Sequence, residues 1–258
     1  MTSLRGASYV RAVVFDTDGV LLDSASLHAA AWKTAFDRCL EALASGGNRQ
    51  PSFDASGEYR RLVDGKARFD GARAFLEARG LELPFGHADD PPGCGSVWAV
   101  AARKEQAFTQ MLRTRAVPAF PDVVPALDAL RKNGDGTACA AVSASRHATE
   151  LLESAGLHSR FEAVVDGREA TRLGLPGKPD PALFLEAASR LGAHPRNAAV
   201  VEDALAGVEA GRRGEFGLVV GVDRTADPRR AAALADRGAD LVVRELTELI
   251  GEPPGAPP

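Results

Sequence analysis

Six short apolar runs rich in β-branched residues punctuate the chain: VRAVVF from Val10, TACAAV from Thr137, EAVVD from Glu162, AAVV from Ala198, GLVVGV from Gly217 and DLVV from Asp240. Each has the length and composition of a buried strand. From the second run onward they are separated by helical patterns, among them SRHATELLESAG and DPALFLEAASRLG. Ser145 is the expected N-cap of the first, with Gly156 past its end; Asp180 is the expected N-cap of the second, with Pro181 at its first helical position. Strands alternating with helices require right-handed crossovers and give a parallel sheet covered on both faces. The expected fold class is α/β, a doubly wound, Rossmann-like parallel sheet.

One interval breaks the alternation. Between the first run and Pro118 lie about ninety residues with no strand pattern but with helical ones, SLHAAAWKTAFDRCLEALA, ARFDGARAFLEARG and VWAVAARKEQAFTQMLR. That is too much chain for one crossover and reads as an inserted all-helical domain, with Trp32 and Trp98 in its core. The expected division is a core of residues 1–23 and 118–250, a helical cap of residues 24–117 and a disordered tail, GEPPGAPP, over 251–258. The Pro- and Gly-rich stretch from Leu83 to Gly95 reads as a loop between two cap helices.

Bulk properties narrow the function. A chain of 258 residues with 45% apolar content can bury a sizeable core. A formal charge of −4 gives no reason to expect nucleic acid or an anionic membrane as a partner. No apolar run approaches bilayer length, and MTSLRGASYVR lacks the apolar stretch of a signal peptide. Cys39, Cys94 and Cys139 form an odd, scattered set without metal-ligand spacing, which fits a reducing cytoplasm. His87, His147, His158 and His194 have no neighbours in sequence that suggest a metal. The expected state is a cytoplasmic monomer or weak dimer.

The first run ends in DTDGVLLDS, two carboxylates one residue apart and then a glycine. In a doubly wound sheet, ligands collect outside the carboxyl ends of the strands. Asp16 and Asp18 fall at that edge, as do Ser143 after the second run, Lys178 beyond the third and Glu202–Asp203 after the fourth. Such an oxygen-rich set suits Mg2+, which takes one or two carboxylates, keeps several waters and binds substrate phosphate. With the cation bound, Lys178 and Ser143 would hold the oxygens of a phosphate dianion while Asp16 attacks phosphorus in line. Without cation and lysine, Asp16 would only repel the phosphate. Asp18, farther along the turn, is placed to protonate the leaving oxygen and later to deprotonate the acceptor.

Each residue also has a plainer reading. Asp16 and Asp18 could form an Asx-capped turn, and Lys178 could be a solvated loop lysine. Glu202 and Asp203 could cap the following helix, and for Asp203 both roles are expected. Gly207 and Gly211, four apart, suggest close helix packing. The occurrence of all the motifs in one chain favours the site.

DTDGVLLDS, VSASR, GKPDP and VEDALAGVEAG, in this order and spacing, resemble the four motifs of the haloacid dehalogenase superfamily. The resemblance implies that Asp16 is a nucleophile forming an aspartyl phosphate and that Asp18 is the acid/base, its main-chain carbonyl also touching Mg2+. Ser143, Ala144 and Lys178 would be phosphate ligands, and Asp203 a metal ligand, with Glu202 ligating directly or through water. Within the insert, DSASLHAAAWK, LVDGKARFDGARAFL and VAARKEQAF are similar to the helical cap of β-phosphoglucomutases and their phosphatase relatives. That likeness puts Ser24 at a hinge, His28 on the segment entering the active site, and Arg68 and Lys104 at the non-reacting end of a sugar phosphate. Asp64 stands where some of these mutases carry lysine, Glu105 where asparagine is common and Ala204 where serine is common, which bears on the exact sugar.

The implied activity is Mg2+-dependent phosphoryl transfer on a small-molecule sugar phosphate, most like conversion of β-glucose 1-phosphate to glucose 6-phosphate. A phosphatase that hydrolyses the same intermediate is the alternative. A non-catalytic phospho-acceptor or sensor module is more remote, since receiver-type modules lack both the second aspartate and a large insert.

Overall fold

The computed structural model describes residues 9–44, 49–132, 137–225 and 227–250; the tail expected to be disordered lies outside the described residues. The chain forms two compact units, Ser24–Val117 and Met1–Asp23 with Pro118–Pro258.

The first of these units is built on helices α1 (Ala25–Leu43), α2 (Arg68–Ala78) and α3 (Val97–Leu112). Apolar residues at helical spacing on α1, among them Trp32, Phe36, Cys39 and Leu40, make one buried face. That face meets Phe53, Phe75 and Val100, with the Phe36 and Phe75 rings stacked at 3.9 Å between centroids. Trp32 is buried in this cluster, and Trp98 is only partly buried at its margin. Arg79 closes the C-terminal end of α2 by donating to Glu58 at 2.7 and 2.8 Å and to the Pro51 carbonyl at 3.0 Å.

A disulfide joins Cys39 on α1 to Cys94 in the loop before α3, with the Cα atoms 5.2 Å apart. The sequence shows no pairing of these cysteines. Their separation of 55 residues carries no signal, because the packing of α1 against α3 is what brings them within bridging reach. Cys139 is free and buried, and burial, reinforced by Glu162, pushes its thiol up to about 12.

The second unit is a six-stranded parallel sheet in the order β3-β2-β1-β4-β5-β6. Its strands are β1 (Ala12–Asp16), β2 (Ala138–Val142), β3 (Ala163–Val165), β4 (Ala198–Glu202), β5 (Leu218–Val222) and β6 (Leu241–Val243). All six expected runs thus become strands. β1, β4 and β5 are buried along their whole length, so they read as continuous apolar runs rather than alternating ones. The crossovers and flanks carry α4 (Val123–Lys132), α5 (Ala148–Ser154), α6 (Gly167–Leu173), α7 (Ala182–Arg190), α8 (Leu205–Arg213) and α9 (Pro228–Asp236). Val14, Val142, Phe184, Ala187, Val200, Val208 and Val219 belong to one continuous core.

Two helix starts differ from expectation by a few residues. α5 begins at Ala148, and Ser145 Oγ accepts the N–H of His147 at 3.2 Å instead of capping the helix. The Ser145 carbonyl is engaged by the Gly167 N–H at 2.9 Å, which holds that turn out of the helix. In α7 the N-cap is Pro181, while Asp180 Oδ1 still accepts the Ala182 N–H at 2.9 Å.

Because the disulfide closes a loop of 55 residues, chain entropy gives it a worth of about 4 kcal/mol to the unit that contains it. Both tryptophans, Trp32 and Trp98, lie in that unit, so their fluorescence reports its unfolding. Cys94→Ser should lower the urea midpoint followed in this way. Equal midpoints for the variant and the oxidised parent would show that the bond adds nothing.

Candidate active site

Asp16 is the last residue of β1, the strand flanked by β2 on one side and β4 on the other. Strand order reverses across β1 and β4, and there the crevice at the carboxyl ends opens. The register sets Asp16 opposite Val142 and Phe15 opposite Val201, so Ser143 and Glu202 follow directly at the same edge. Four loop segments therefore converge because the topology leaves them no other place to end.

The centre of the convergence is Lys178. Its side chain is wholly buried, and Nζ donates to the Asp16 carboxylate and to Glu202 Oε2, the latter at 2.6 Å. Burial by itself would lower the lysine pKa, but the attraction of Asp16 and Glu202 outweighs it and holds the ammonium charged beyond its ordinary range. For Asp16, burial first and the Glu202 charge second raise the pKa well above its ordinary 3.8, with Lys178 opposing them.

Glu202 ends β4, and its Oε1 accepts the N–H groups of Asp203 and Ala204 at 3.0 and 2.9 Å. The Glu202 side chain thus folds back over the start of α8 and takes the N–H of its N-cap residue. Ala204, the N-cap residue there, offers no side-chain bond of its own. Gly207 leaves room for the folded-back carboxylate, since a Cβ at that position would lie 1.8 Å from Glu202 Oε2. Helix packing is instead the role of Gly211, whose Cβ would meet Val200 and Val219 at 3.3 Å. Gly19, at φ +83°, is required twice over: its backbone is left-handed, and a Cβ would sit 2.3 Å from Asp203 Oδ2.

Asp203 accepts from Arg230 at Oδ2 (3.0 Å) and at its main-chain carbonyl (2.9 Å). Carboxylate oxygens of Asp16, Glu202 and Asp203 all lie within 4.8 Å of one another. Hard oxygen donors crowded this closely, with one ammonium among them, fit a small divalent cation. Asp18 faces the other side of the turn, where Ser143 Oγ donates to its Oδ2 at 2.7 Å and itself accepts the Ser145 N–H at 2.9 Å. Thr17 Oγ1 pins the same turn to the Val142 carbonyl at 3.0 Å. Ala144 lies in the turn with Ser143, and Gly167 lets that backbone pass, as a Cβ there would meet the Ala144 carbonyl at 2.5 Å.

The remaining candidates lie in the helical unit. His28 on α1 and Lys104 on α3 are both buried, with Nδ1 and Nζ 3.0 Å apart, and the imidazole stacks on Phe108 at 4.1 Å. Arg68, the first residue of α2, lies 5.8 Å over the Trp98 ring and pairs with Glu105 at 3.8 Å. Ser24 precedes α1, and its carbonyl accepts the His28 N–H at 3.0 Å. The sequence by itself does not single out Thr17 or Arg230, and it gives no reason for Gly19 beyond its place in the turn. The glycine after D-x-D was the one available signal; nothing in the sequence around Arg230 points to Asp203.

A family model described as haloacid dehalogenase-like hydrolase matches residues 10–214. The chain is 43% identical over 242 residues to a β-phosphoglucomutase of Mycobacterium tuberculosis, covering 93% of this chain and 92% of that protein. It is 26% identical over 235 residues to a phosphorylated carbohydrates phosphatase of Thermotoga maritima, covering 91% and 94% respectively. A crystal structure of a Clostridium difficile β-phosphoglucomutase superimposes with a TM-score of 0.70 at 22% identity over 93% of each chain, a likeness of fold.

Removing the ammonium at the centre has a calculable consequence. Lys178→Met leaves two facing carboxylates buried and should destabilise the unit by about 3–5 kcal/mol at neutral pH, measured by urea unfolding. In the parent, the raised Asp16 pKa means the folded state binds that proton more tightly than the unfolded chain does. The carboxyl's contribution to stability is therefore full below 3.8 and is lost as pH rises through the raised value. The Lys178→Met penalty should accordingly shrink in acid. A penalty independent of pH would assign it to lost packing instead.

Proposed function

The chain belongs to the haloacid dehalogenase-like hydrolase family, and on that premise we propose that it catalyses Mg2+-dependent phosphoryl transfer on a sugar phosphate through an aspartyl phosphate at Asp16. The assignment goes further, to a β-phosphoglucomutase interconverting β-glucose 1-phosphate and glucose 6-phosphate. The observation that carries it is the β1 carboxylate held by a buried ammonium with two further acids within 4.8 Å. The 43% identity to a mutase over nearly the whole chain supports the choice of substrate.

Asp16, Asp203 and the main-chain carbonyl of Asp18 would hold Mg2+, with Glu202 ligating directly or through water. The bound cation would offset the negative charge of acids and phosphate and keep Asp16 ionised. Lys178 and Ser143, with the main chain at Ala144, bind the phosphate oxygens that do not react. An Asp16 oxygen then forms a bond to phosphorus as the bond from phosphorus to the sugar oxygen breaks. Asp18 gives its proton to that oxygen. In the second half, Asp18 takes a proton from the acceptor hydroxyl as that oxygen attacks phosphorus, and the Asp16 carboxylate is restored.

A mutase must also grip the phosphate that is not reacting. Arg68 has the planar fork suited to it, with Lys104 second and His28 beside Lys104. Ser24 would be the hinge of the helical insert. The departures at Asp64, Glu105 and Ala204 leave the phosphoryl-transfer reading intact and bear on the exact sugar, and Glu105 pairs with Arg68 at 3.8 Å. We place the enzyme in the cytoplasm as a monomer or weak dimer, because sugar phosphates are too charged to leave that compartment unaided; in that reducing compartment Cys39 and Cys94 would stand as a dithiol within bridging reach. No helix among the described residues is long and apolar enough to cross a membrane.

Hydrolysis of the same intermediate is the second reading, favoured by the phosphatase relative. The two are separated by supplying β-glucose 1-phosphate primed with glucose 1,6-bisphosphate. Glucose 6-phosphate should form with little inorganic phosphate; phosphate release from many sugar phosphates without isomerisation would establish the phosphatase. Asp16→Asn should abolish turnover in a folded protein, because an amide is not a nucleophile. Chelator should abolish it in the parent and Mg2+ restore it. Arg68→Ala should impair isomerisation far more than hydrolysis of acetyl phosphate, which has no second phosphate to hold.

A further inference from the structure

Arg224 lies just after β5, outside every motif that the sequence reading singled out. Its guanidinium is 17% exposed and uses all three nitrogens. Nε donates to the Gly19 carbonyl at 3.2 Å, and a terminal nitrogen donates to the Val20 carbonyl at 2.7 Å. The other terminal nitrogen lies 3.0 and 3.2 Å from the two oxygens of Asp122. The guanidinium carbon is 3.8 Å from the centroid of the Phe120 ring, a stacked cation–π contact. Asp122 is buried and is fixed in turn by the Leu246 N–H at 2.6 Å.

These partners are the two arms through which the chain leaves the sheet unit and returns to it. The outgoing arm is the turn after Asp16, with Gly19 N–H on the Leu22 carbonyl at 2.9 Å and the Leu21 and Leu22 N–H groups on the Thr17 carbonyl at 3.0 and 2.9 Å. The returning arm begins at Pro118. The arms bond to each other through Asp23 N–H to the Pro118 carbonyl at 3.0 Å and Phe120 N–H to the Leu21 carbonyl at 3.1 Å. Asp18 sits in this turn, held by Ser143 at its carboxylate. On the next two peptide units, Arg224 is the group that grips the carbonyls.

We propose that Arg224 is a positioning residue for the acid/base step: by fixing the Gly19 and Val20 carbonyls against the Asp122–Phe120 arm, it keeps the Asp18 carboxyl aimed at the leaving oxygen. The proposal rests on the phosphoryl-transfer reading above. In that step Asp16 bonds to phosphorus, the bond from phosphorus to the leaving oxygen breaks with its electron pair on that oxygen, and the Asp18 proton moves there. A sugar alkoxide needs the proton. The carboxylate leaving from an acyl phosphate does not. Misplacing Asp18 should therefore slow one donor and spare the other, whereas a general loss of structure would slow both alike.

The test is single-turnover formation of the aspartyl phosphate by the full chain with Mg2+, from a sugar phosphate and from acetyl phosphate. Arg224→Ala should slow formation from the sugar phosphate about 100-fold and from acetyl phosphate by less than about threefold, with the KM for either donor little changed. Arg224→Lys, whose ammonium can reach one carbonyl but lacks the fork, should recover part of the loss with the same donor selectivity. If Arg224→Ala does not fold, the Lys variant carries the test alone. Arg196→Ala, at an exposed ion pair with Glu215, should match the parent. Equal loss from both donors, or no loss, overturns the proposal. A wild-type protein that forms no aspartyl phosphate from either donor overturns the phosphoryl-transfer reading and this inference with it. A parent that forms it while Arg224→Ala shows no donor selectivity overturns this inference only.

Discussion

One buried ammonium between two strand-end carboxylates organises the sheet unit. Lys178, Asp16 and Glu202 are all buried, and isolating any of their charges would cost several kcal/mol in desolvation. The cost is tolerable only because each charge has a partner, and Glu202 is engaged at both oxygens: Oε2 takes the lysine, and Oε1 takes two backbone N–H groups. The surroundings are shaped to this demand. Gly207 has no side chain because the Glu202 carboxylate occupies that space. Gly19 is glycine because Asp203 occupies the corresponding space beside the D-x-D turn.

The sheet order brings these groups together. A parallel sheet that starts in its middle, runs out to β3 and resumes at β4 must bring the ends of β1, β2 and β4 side by side. Short helices and turns then deliver Ser143, Lys178 and Asp203 from well-separated segments. Rigidity at this edge comes from hydrogen bonds to backbone carbonyls. Thr17 holds Val142, and Arg224 holds Gly19 and Val20, so the turn bearing Asp18 is braced on both sides.

The helical unit has its own core and its own constraints. Stacked Trp32, Phe36 and Phe75 fill it, while Arg79 and the Cys39–Cys94 bond fasten its ends. Two of its cationic side chains pack against aromatic rings. Lys104 is buried against His28 and the Phe108 ring, and Arg68 lies over Trp98 with Glu105 beside it. A cation packed among aromatic rings has already lost much of its rotamer freedom.

The amino-acid sequence alone determined the strand count, the α/β class and the presence of a helical insertion, because a fully buried parallel strand must be a short apolar run and a crossover has a limited length. It also marked Asp16, Asp18, Ser143, Lys178, Glu202 and Asp203 as one set, and the fold brings them to one edge of the sheet. Tertiary structure alone decided which carboxylate folds back over the start of α8, that Cys39 meets Cys94, that Gly207 makes room for a carboxylate and Gly211 for the packing of α8 on the sheet, and that Arg224 meets the Gly19 and Val20 carbonyls and Arg230 meets Asp203. Those outcomes depend on which side chains come within 3 or 4 Å after folding. Arg224 and Gly19 are 205 residues apart, and no local pattern records a contact that the sheet topology creates.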